Sequence, residues 1–347
     1  MPHRVVITGD LLRADPKGHC DQTSNITWFS DLFKNNIEAL DFQVDVLGDR
    51  EGGFPFETLY ALAYGKLDDA VRYKWAKAYD LLLDRRVRDF LAGYFADATL
   101  IFFEASPNLL NIVNELGQIY INFRTHPLRF GRDLIMACQS NCPKITERLK
   151  RIAISPETIA RETQIFRQNC QSRAGEDCDG VIVFLGQCRY DASVILNGRF
   201  LSIDQVSEHI SKIGNGRTPF HKPHPHDANE EAMAAWKKIF PNSQPLDIPT
   251  YSLFVNGKNM QFTSISSGAT YEAELFGHDC YCVSPNNWLK NSEYSQNFNS
   301  LLYEYWFLDF WKWIFFGENF ESLLDFRNFS PDRLRKVIKT EWAQRHF

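Results

Sequence analysis

The chain has 347 residues, 44% of them hydrophobic, which is enough for two domains of ordinary size, each with its own core. A formal net charge of −5 argues against a dedicated nucleic-acid-binding protein, because such proteins usually carry a basic excess. No uninterrupted apolar run reaches the roughly 18 residues that a membrane-spanning helix needs.

The first residues and the cysteines predict the cellular location. Residues 1–10 lead directly into a buried-strand pattern, so we expect no signal peptide. The eight cysteines show neither paired C-x-x-C spacing nor a small disulfide framework, which favours reduced thiols. The sequence therefore predicts a cytoplasmic protein without a nucleic-acid partner.

Short apolar runs alternate with helical patterns in the first half of the chain, which is typical of α/β layering. A helix is predicted over 106–116, where Ser106 suits the N-cap and Pro107 suits the first turn. The predicted strands are 5–7, 42–47, 99–103 and 119–123. Together with polar helical residues up to about 171, they predict a Rossmann-like domain over 1–172.

The α/β pattern begins again after a linker-like stretch at 172–179. A capping box of Ser202 and Gln205 marks the start of an amphipathic helix that ends at Gly214. The other predicted elements are strands at 180–185, before 221, at 260–264 and at 280–283, and a helix at 269–276. They predict a second Rossmann-like domain over 173–298, facing the first across a cleft, with ligands beyond the carboxyl ends of the strands.

The last predicted segment, 299–347, contains aromatic and basic helices. Its stretch 303–317 (YEYWFLDFWKWIFFG) is interrupted by charged residues, so it does not read as a transmembrane helix. One interpretation is a helix packed across both domains. The other is peripheral contact with the inner membrane, in which Trp306, Trp311 and Trp313 meet the lipid interface.

The stretch GQCRYDAS (186–193) directly follows the predicted strand at 180–185. It places the amide of Gln187 and the carboxylate of Asp191 at the carboxyl end of that strand, where a substrate can touch them. The alternative is an aspartate that caps loop amides.

The stretch HKPHPH begins at residue 221, also after a strand-like segment. The spacing of His224 and His226 matches the two-histidine ligand pattern of metal hydrolases, but no further histidine shows a partner spacing. Two prolines make the loop stiff and extended. We favour a metal-free loop that presents Lys222 and an imidazole, from His221 or His224, to a phosphate.

The third stretch, TSISSGATYEAELFGH (263–278), combines a strand end with a helix start. The hydroxyls of Ser266 and Ser267 and the free amides of the helix N-terminus predict an anion site. Glu272 lies about one turn into the helix, where its carboxylate can take ribose hydroxyls. The alternative is a serine N-cap followed by a solvated glutamate.

In this order, GQCRYDASVI, HKPHPH and SSGATYEAELFG resemble the retaining β-Kdo glycosyltransferases of bacterial capsule and lipopolysaccharide O-antigen assembly. The resemblance covers residues 180–285. It implies a GT-B fold, with the acceptor domain first and the CMP-sugar domain second. The implied partners are CMP-Kdo, an oligosaccharide or glycolipid acceptor, and further transferase modules. The implied reaction needs no cofactor and no protein-bound metal.

The resemblance also implies roles for single residues. Asp191 corresponds to the carboxylate nucleophile, and His221, Lys222 and His224 to the loop at the donor phosphate. The nucleotide pocket corresponds to Ser266, Ser267 and Glu272. The chain departs from the family in having Arg189 and Tyr190 before Asp191, where an acidic pair is usual.

In the first domain, Glu104 follows the predicted strand 99–103 and is a candidate base for the acceptor hydroxyl. Asp10, after the first strand, competes for that role. Arg124 begins a basic patch, with His126, Arg129 and Arg132, that suits an acidic acceptor or a solvated face.

Three other functions stay open. They are an inverting sialyltransferase that uses a CMP-sugar, a metallohydrolase built on the histidine cluster, and a lipid- or glycan-binding module without enzymatic activity.

Overall fold

A computed structural model describes residues 3–50, 53–170, 180–225, 230–318 and 332–338. It is a mixed α/β protein with parallel sheets, as the sequence predicted. The chain divides into two compact units. The first consists of Met1–Thr125, Ile135–Ile154 and Asn299–Thr340, and the second of His126–Leu134, Ser155–Phe298 and Glu341–Phe347.

The strands and helices of the described residues are as follows. The strands are β1 (Arg4–Gly9), β2 (Gln43–Val46), β3 (Ala98–Phe103), β4 (Ile119–Thr125), β5 (Met136–Ser140), β6 (Ile182–Leu185), β7 (Ile195–Leu196), β8 (Arg199–Phe200), β9 (Phe220–Lys222), β10 (Gln261–Ser264), β11 (Asp279–Cys282) and β12 (Asn299–Leu301). The helices are α1 (Thr23–Asp31), α2 (Lys34–Glu38), α3 (Phe56–Tyr64), α4 (Val71–Ala78), α5 (Arg85–Phe95), α6 (Pro107–Glu115), α7 (Pro143–Ile152), α8 (Pro156–Cys170), α9 (Ile203–Ile213), α10 (Glu230–Ile239), α11 (Thr250–Asn256), α12 (Gly268–Leu275), α13 (Glu293–Gln296), α14 (Leu308–Phe316) and α15 (Arg333–Val337).

The sheet of the first unit has the strand order β12-β5-β4-β3-β1-β2. Strands β1 to β4 are parallel, and β1 and β3 carry nearly unbroken apolar runs because both faces of the sheet are covered. Strands β5 and β12 extend the sheet with antiparallel pairing, which the sequence did not predict. The chain passes from β1 to β2 on one side and to β3 on the other, so a topological switch point lies between β1 and β3.

The sheet of the second unit has the order β11-β10-β6-β9 and is parallel throughout. Its first strand, β6, is followed by β9 on one side and β10 on the other. The order β9-β6-β10-β11 therefore repeats the order β2-β1-β3-β4 of the first unit. Its switch point lies between β6 and β10.

One apolar layer of the second unit supports β6 and β9. Trp236 of α10 stacks on Phe184 of β6, with ring centroids 5.0 Å apart. Val206 and Ile210 of α9 complete this buried cluster, on the stripe that the sequence predicted. The amide of Ser202 donates to Gln205 Oε1 and begins α9 as the predicted capping box.

The units differ in outline from the predicted domains. Helix α8 belongs to the second unit, where Phe166 packs against Phe130 and Phe276. Residues 299–318 belong to the first unit, because β12 pairs with β5. The predicted linker at 172–179 lies outside the described residues.

The aromatic stretch 303–317 packs within the first unit. Trp311 is fully buried and its ring lies 4.7 Å from that of Phe33, while the indole N–H of Trp313 donates to the Arg148 carbonyl. The guanidinium of Arg333 lies 4.1 Å from the centre of the Trp306 ring. Lipid contact through this stretch stays a prediction. Of the three tryptophans proposed for it, Trp311 is buried and Trp306 and Trp313 are half-buried. Within the part of the chain that is described, no helix is both long and apolar enough to span a membrane.

Candidate functional site

The three sequence motifs follow the carboxyl ends of three neighbouring strands in the second unit. The stretch 186–193 follows β6, the loop from 223 follows β9, and residues 265–267 follow β10. Because β9, β6 and β10 are adjacent and parallel, their carboxyl ends share one edge of the sheet. This edge, named here the second-unit edge, brings the motifs together.

Gln187 and Ser266 join the first and third motifs across the switch point. The Ser266 amide donates to Gln187 Oε1 at 2.7 Å, and Gln187 Nε2 donates to Ser266 Oγ at 3.1 Å. Ser193 completes the network, since its carbonyl accepts from Ser266 Oγ at 2.6 Å and its hydroxyl lies 3.3 Å from Gln187 Nε2. The amide of Gln187 is thus held in one orientation, and its predicted contact with a substrate stays a prediction.

Asp191 is half-buried on the same network. Its Oδ1 accepts from the Ser193 amide at 2.8 Å and caps the short turn Ala192–Val194. This is the capping role that the sequence left open as an alternative. The hydrogen bond of the cap uses Oδ1 alone among the described residues. The cap therefore does not prevent a reaction at Oδ2.

The second motif is held to the first by its backbone. The Gly186 amide donates to the Lys222 carbonyl at 2.8 Å. A Cβ at position 186 would lie 2.9 Å from the His224 nitrogen, so only glycine allows the two loops to approach this closely. A side-chain contact between the loops joins Cys188 Sγ to His224 Nδ1 at 3.4 Å.

Lys222 and His221 lie in different surroundings. Lys222 is half-buried, and its ammonium donates to the Leu246 carbonyl at 3.2 Å. Burial lowers the pKa of Lys222, and the nearby Asp247 opposes this effect. His221 is buried and stacks on Trp236 at 4.5 Å, and burial lowers its pKa to about 4. Because the His221 imidazole is neutral and lies in the apolar layer, His224 is the better candidate to contact a phosphate. The roles of His221, Lys222 and His224 stay predictions.

Ser267 caps helix α12, which is the alternative that the sequence left open. Its Oγ accepts from the Ala269 amide at 3.3 Å, and its own amide donates to Ser264 Oγ at 2.9 Å. Both amides are therefore already satisfied, and an anion at this helix start would meet the Gly268 amide. A Cβ at Gly268 would lie 2.8 Å from Pro127 Cβ, so glycine here permits close packing of the segment 126–134.

Glu272 points into the second unit. It is buried and accepts from the Arg129 amide at 2.6 Å and from the Tyr251 hydroxyl at 3.1 Å. Burial raises the pKa of Glu272 to about 7, and the hydrogen bonds lower it. The carboxylate thus holds the segment 126–134 against α12. Its predicted contact with ribose hydroxyls is untested.

In the first unit, Asp10 lies at the switch point between β1 and β3. Its Oδ1 lies 3.0 Å from Ser106 Oγ and accepts from the Leu12 amide, and its Oδ2 lies 3.3 Å from Trp75 Nε1. Burial raises the pKa of Asp10 to about 6, and the hydrogen bond from Ser106 lowers it. Both oxygens of the carboxylate thus have partners within the fold, and a role of Asp10 as the acceptor's base stays a prediction. The Ser106 hydroxyl bonds Asp10 and the side chain of Asn108 in the first turn of α6, but it does not make the predicted N-cap hydrogen bond to a helix amide.

Glu104 directly follows β3 and is half-exposed. Its φ angle is +56°, in the left-handed region, and its amide donates to the Phe123 carbonyl at 2.7 Å. The other described non-glycine residues with positive φ are Asn or Asp, which tolerate this conformation better than Glu. Such strain favours a functional role.

The predicted basic patch is divided. Arg124 belongs to the first unit and donates to the Ala105 carbonyl at 2.8 Å, whereas residues 126–134 belong to the second. His126 is buried, and burial lowers its pKa to about 3, so it carries no charge at neutral pH. The role of Arg124 in acceptor binding stays a prediction.

A metal site was the competing interpretation of the histidine loop. Among the described residues, no group of three or more His, Cys, Asp or Glu side chains is arranged to hold a metal ion. His226 lies outside those residues, so this interpretation is untested.

Comparisons with known proteins give little independent information. No protein-family model matches the chain, and no curated protein matches it. Among solved structures, KpsC of Thermosulfurimonas dismutans, a beta Kdo 2,7 transferase, is 14% identical with a TM-score of 0.35. The match covers 56% of this chain and 67% of that chain. A similarity this low supports no argument about function.

Two contacts of the second unit were missed from the sequence. Cys188 meets His224, and Tyr251 meets Glu272, although 36 and 21 residues separate the partners. Neither Cys188 nor Tyr251 lies in a local pattern that marks a partner. The contact between Cys188 and His224 could have been predicted if the strand order were known, because β6 and β9 are adjacent and the loops after them are neighbours.

Proposed function

We propose that the chain is a retaining glycosyltransferase that transfers Kdo from CMP-Kdo to a glycan acceptor. The proposal includes a GT-B assignment, in which the first unit recognises the acceptor and the second binds the CMP-sugar. The observation that carries it is the convergence of the three motifs on the second-unit edge, joined by Gln187 and Ser266. Ligands of open parallel sheets bind at this kind of edge, beside the switch point.

The donor would lie on the second-unit edge. Lys222 and the start of α12 would stabilise the phosphate of CMP, and His224 would donate to it as it departs. Lys222 has to exchange its bond to the Leu246 carbonyl for the phosphate, a stronger acceptor. The N-cap interaction fixes the Asp191 carboxylate by one oxygen and leaves the other for the sugar.

The anomeric carbon of Kdo is tertiary and bears a carboxylate, so its transition state resembles an oxocarbenium ion. Asp191 attacks this carbon as the bond to the CMP phosphate breaks, which gives a glycosyl–aspartate ester. An acceptor hydroxyl then displaces Asp191. Two inversions restore the original anomeric configuration.

The acceptor hydroxyl loses its proton in the second step, and Glu104 is the proposed base. It is half-exposed and held in a strained backbone conformation at the carboxyl end of β3. Asp10 is less suitable because its two oxygens are occupied within the fold. Arg124 is the proposed contact for an acidic acceptor.

The proposal is tested by the products formed from CMP-Kdo and a panel of oligosaccharide acceptors. NMR of the product should show the anomeric configuration of the donor. An inverted product would instead support a sialyltransferase-like single displacement and contradict the role of Asp191 as a nucleophile. Failure of CMP to raise the melting temperature would favour a binding module without this activity.

A further inference from the structure

The proposed transfer uses His224 but gives no role to Cys188, which contacts it. The Cys188 thiol lies 3.4 Å from His224 Nδ1, and both side chains are half-buried. The close approach of Gly186 to the His224 backbone fixes the distance between the two loops. The pair therefore belongs to the framework of the second-unit edge.

A thiol and an imidazole at this distance form a nucleophile and its base. In the tautomer that carries its proton on Nε2, His224 accepts the thiol proton at Nδ1, and the sulfur becomes a thiolate. The thiolate is the reactive form of cysteine.

Other thiols of the second unit have less favourable surroundings. Burial raises the pKa of the Cys282 thiol to about 11 and raises that of Cys280 still further. Cys282 also lies within hydrogen-bonding distance of Ser264 Oγ. Both are expected to react slowly while the second unit is folded.

We propose that Cys188 and His224 form a reactive thiol–imidazole pair, at which soft electrophiles modify this chain. With iodoacetamide, the Cys188 sulfur forms a bond to the methylene carbon as the carbon–iodine bond breaks. Iodide leaves, and the thiol proton passes to His224 Nδ1 and then to water. The added group is then attached to the loop that also carries Gln187.

One consequence rests on the proposed function. If CMP binds at the second-unit edge, an adduct at Cys188 competes with it. Bound CMP should then slow the modification, and modified protein should bind CMP more weakly. The reactivity of Cys188 itself does not depend on what the edge binds.

The test is the rate of iodoacetamide labelling at neutral pH, followed for each cysteine by peptide mass spectrometry of the full chain. We expect Cys188 to react faster than Cys280 and Cys282. His224→Gln keeps a side-chain acceptor of similar size but cannot take the thiol proton. It should lower the rate of Cys188 labelling about tenfold. His209→Gln is the matched control, because His209 is exposed on α9, and it should leave the rate unchanged.

Cys282 reports whether a variant stays folded, since its labelling should rise only if the second unit opens. Equal Cys188 rates in the wild type and His224→Gln, with Cys282 still protected, would overturn the proposal. Labelling of Cys188 that appears only after EDTA treatment would also overturn it, because the thiol would then be a metal ligand. If Cys188 labelling requires His224 but is not slowed by CMP, the result would support the thiol–imidazole pair and count against CMP binding at the second-unit edge.

Discussion

Gln187 and Ser266 are joined by two hydrogen bonds, one from the Ser266 amide at 2.7 Å and one to the Ser266 hydroxyl at 3.1 Å. The pair spans the switch point between β6 and β10. In the first unit, Asp10 and Ser106 span the equivalent point between β1 and β3. Each unit thus places a polar bridge at the position where an open parallel sheet usually binds its ligand.

Removing the Gln187 side chain should weaken both the fold and CMP binding. Gln187→Ala leaves the buried Ser266 amide without its acceptor, at a cost of about 1–3 kcal/mol in the free energy of unfolding. Urea denaturation measures this loss, and isothermal titration should show at least about tenfold weaker CMP binding. Gln244→Ala is the control, because that side chain is exposed. Unchanged CMP affinity in Gln187→Ala would count against the second-unit edge as the nucleotide site.

Glu272 should make stability fall as the pH rises. Its pKa is about 7 when folded against an ordinary value of 4.5, so the folded state binds the proton more tightly than the unfolded state. Its favourable contribution is complete below about pH 4.5 and is lost as the pH rises through about 7. The difference in unfolding free energy between the wild type and Glu272→Gln should change by up to about 3 kcal/mol across this range.

Denaturation of both proteins at several pH values isolates this effect, because the other titrating groups are common to both. Glu293→Gln, on an exposed glutamate, should show no such trend. A constant difference between the wild type and Glu272→Gln would show that Glu272 is solvated in solution.

Gly268 should tolerate no side chain. Gly268→Ala places a Cβ 2.8 Å from Pro127 Cβ and should destabilise the second unit by about 1–3 kcal/mol, since neither backbone can move freely. Gly93→Ala is a matched control in α5, where the added Cβ meets nothing within 4 Å. It should stabilise the protein by about 0.5–1 kcal/mol. Equal melting temperatures for the two variants would contradict the packing of residues 126–134 on α12.

CMP binding should not depend on a metal ion, because the proposed phosphate contacts are Lys222, His224 and the start of α12. EDTA treatment should leave the CMP affinity unchanged, as measured by isothermal titration. Stoichiometric zinc or iron in the purified protein, lost together with CMP binding, would instead favour a metal site that includes the histidine loop.

Strands β1, β3 and β6 could be predicted because each is a short, mostly apolar run that is buried on both faces. The motif positions followed from the strand ends, since polar residues begin where each run stops. The strand order that the two units share could not be predicted, because it depends on which strands pair and is not accompanied by a sequence repeat.

The remaining features depend on contacts between residues that are distant in the chain. Strand β12 has three residues and forms only through pairing with β5. The paired residues Asn299 and Cys138 are 161 positions apart in the chain. Glu272 was predicted to contact ribose hydroxyls, with a solvated helical glutamate as the alternative. Its burial could not be predicted, because its partner Arg129 is 143 positions away. Ser106 was predicted only as an N-cap, because its partner Asp10 lies 96 positions away and the fold alone brings the two together.

The central claim is that Asp191 forms a covalent bond to the transferred sugar. Intact-mass spectrometry of the full chain after incubation with CMP-Kdo tests it most directly. Asp191→Asn keeps an oxygen that can accept from the Ser193 amide, so it preserves the cap while removing the nucleophile; Asp204→Asn, on the exposed first turn of α9, is the control. We predict a mass increase of one Kdo residue in the wild type and in Asp204→Asn, and none in Asp191→Asn. Full transferase activity in Asp191→Asn, or an adduct of the same mass in that variant, would contradict the account.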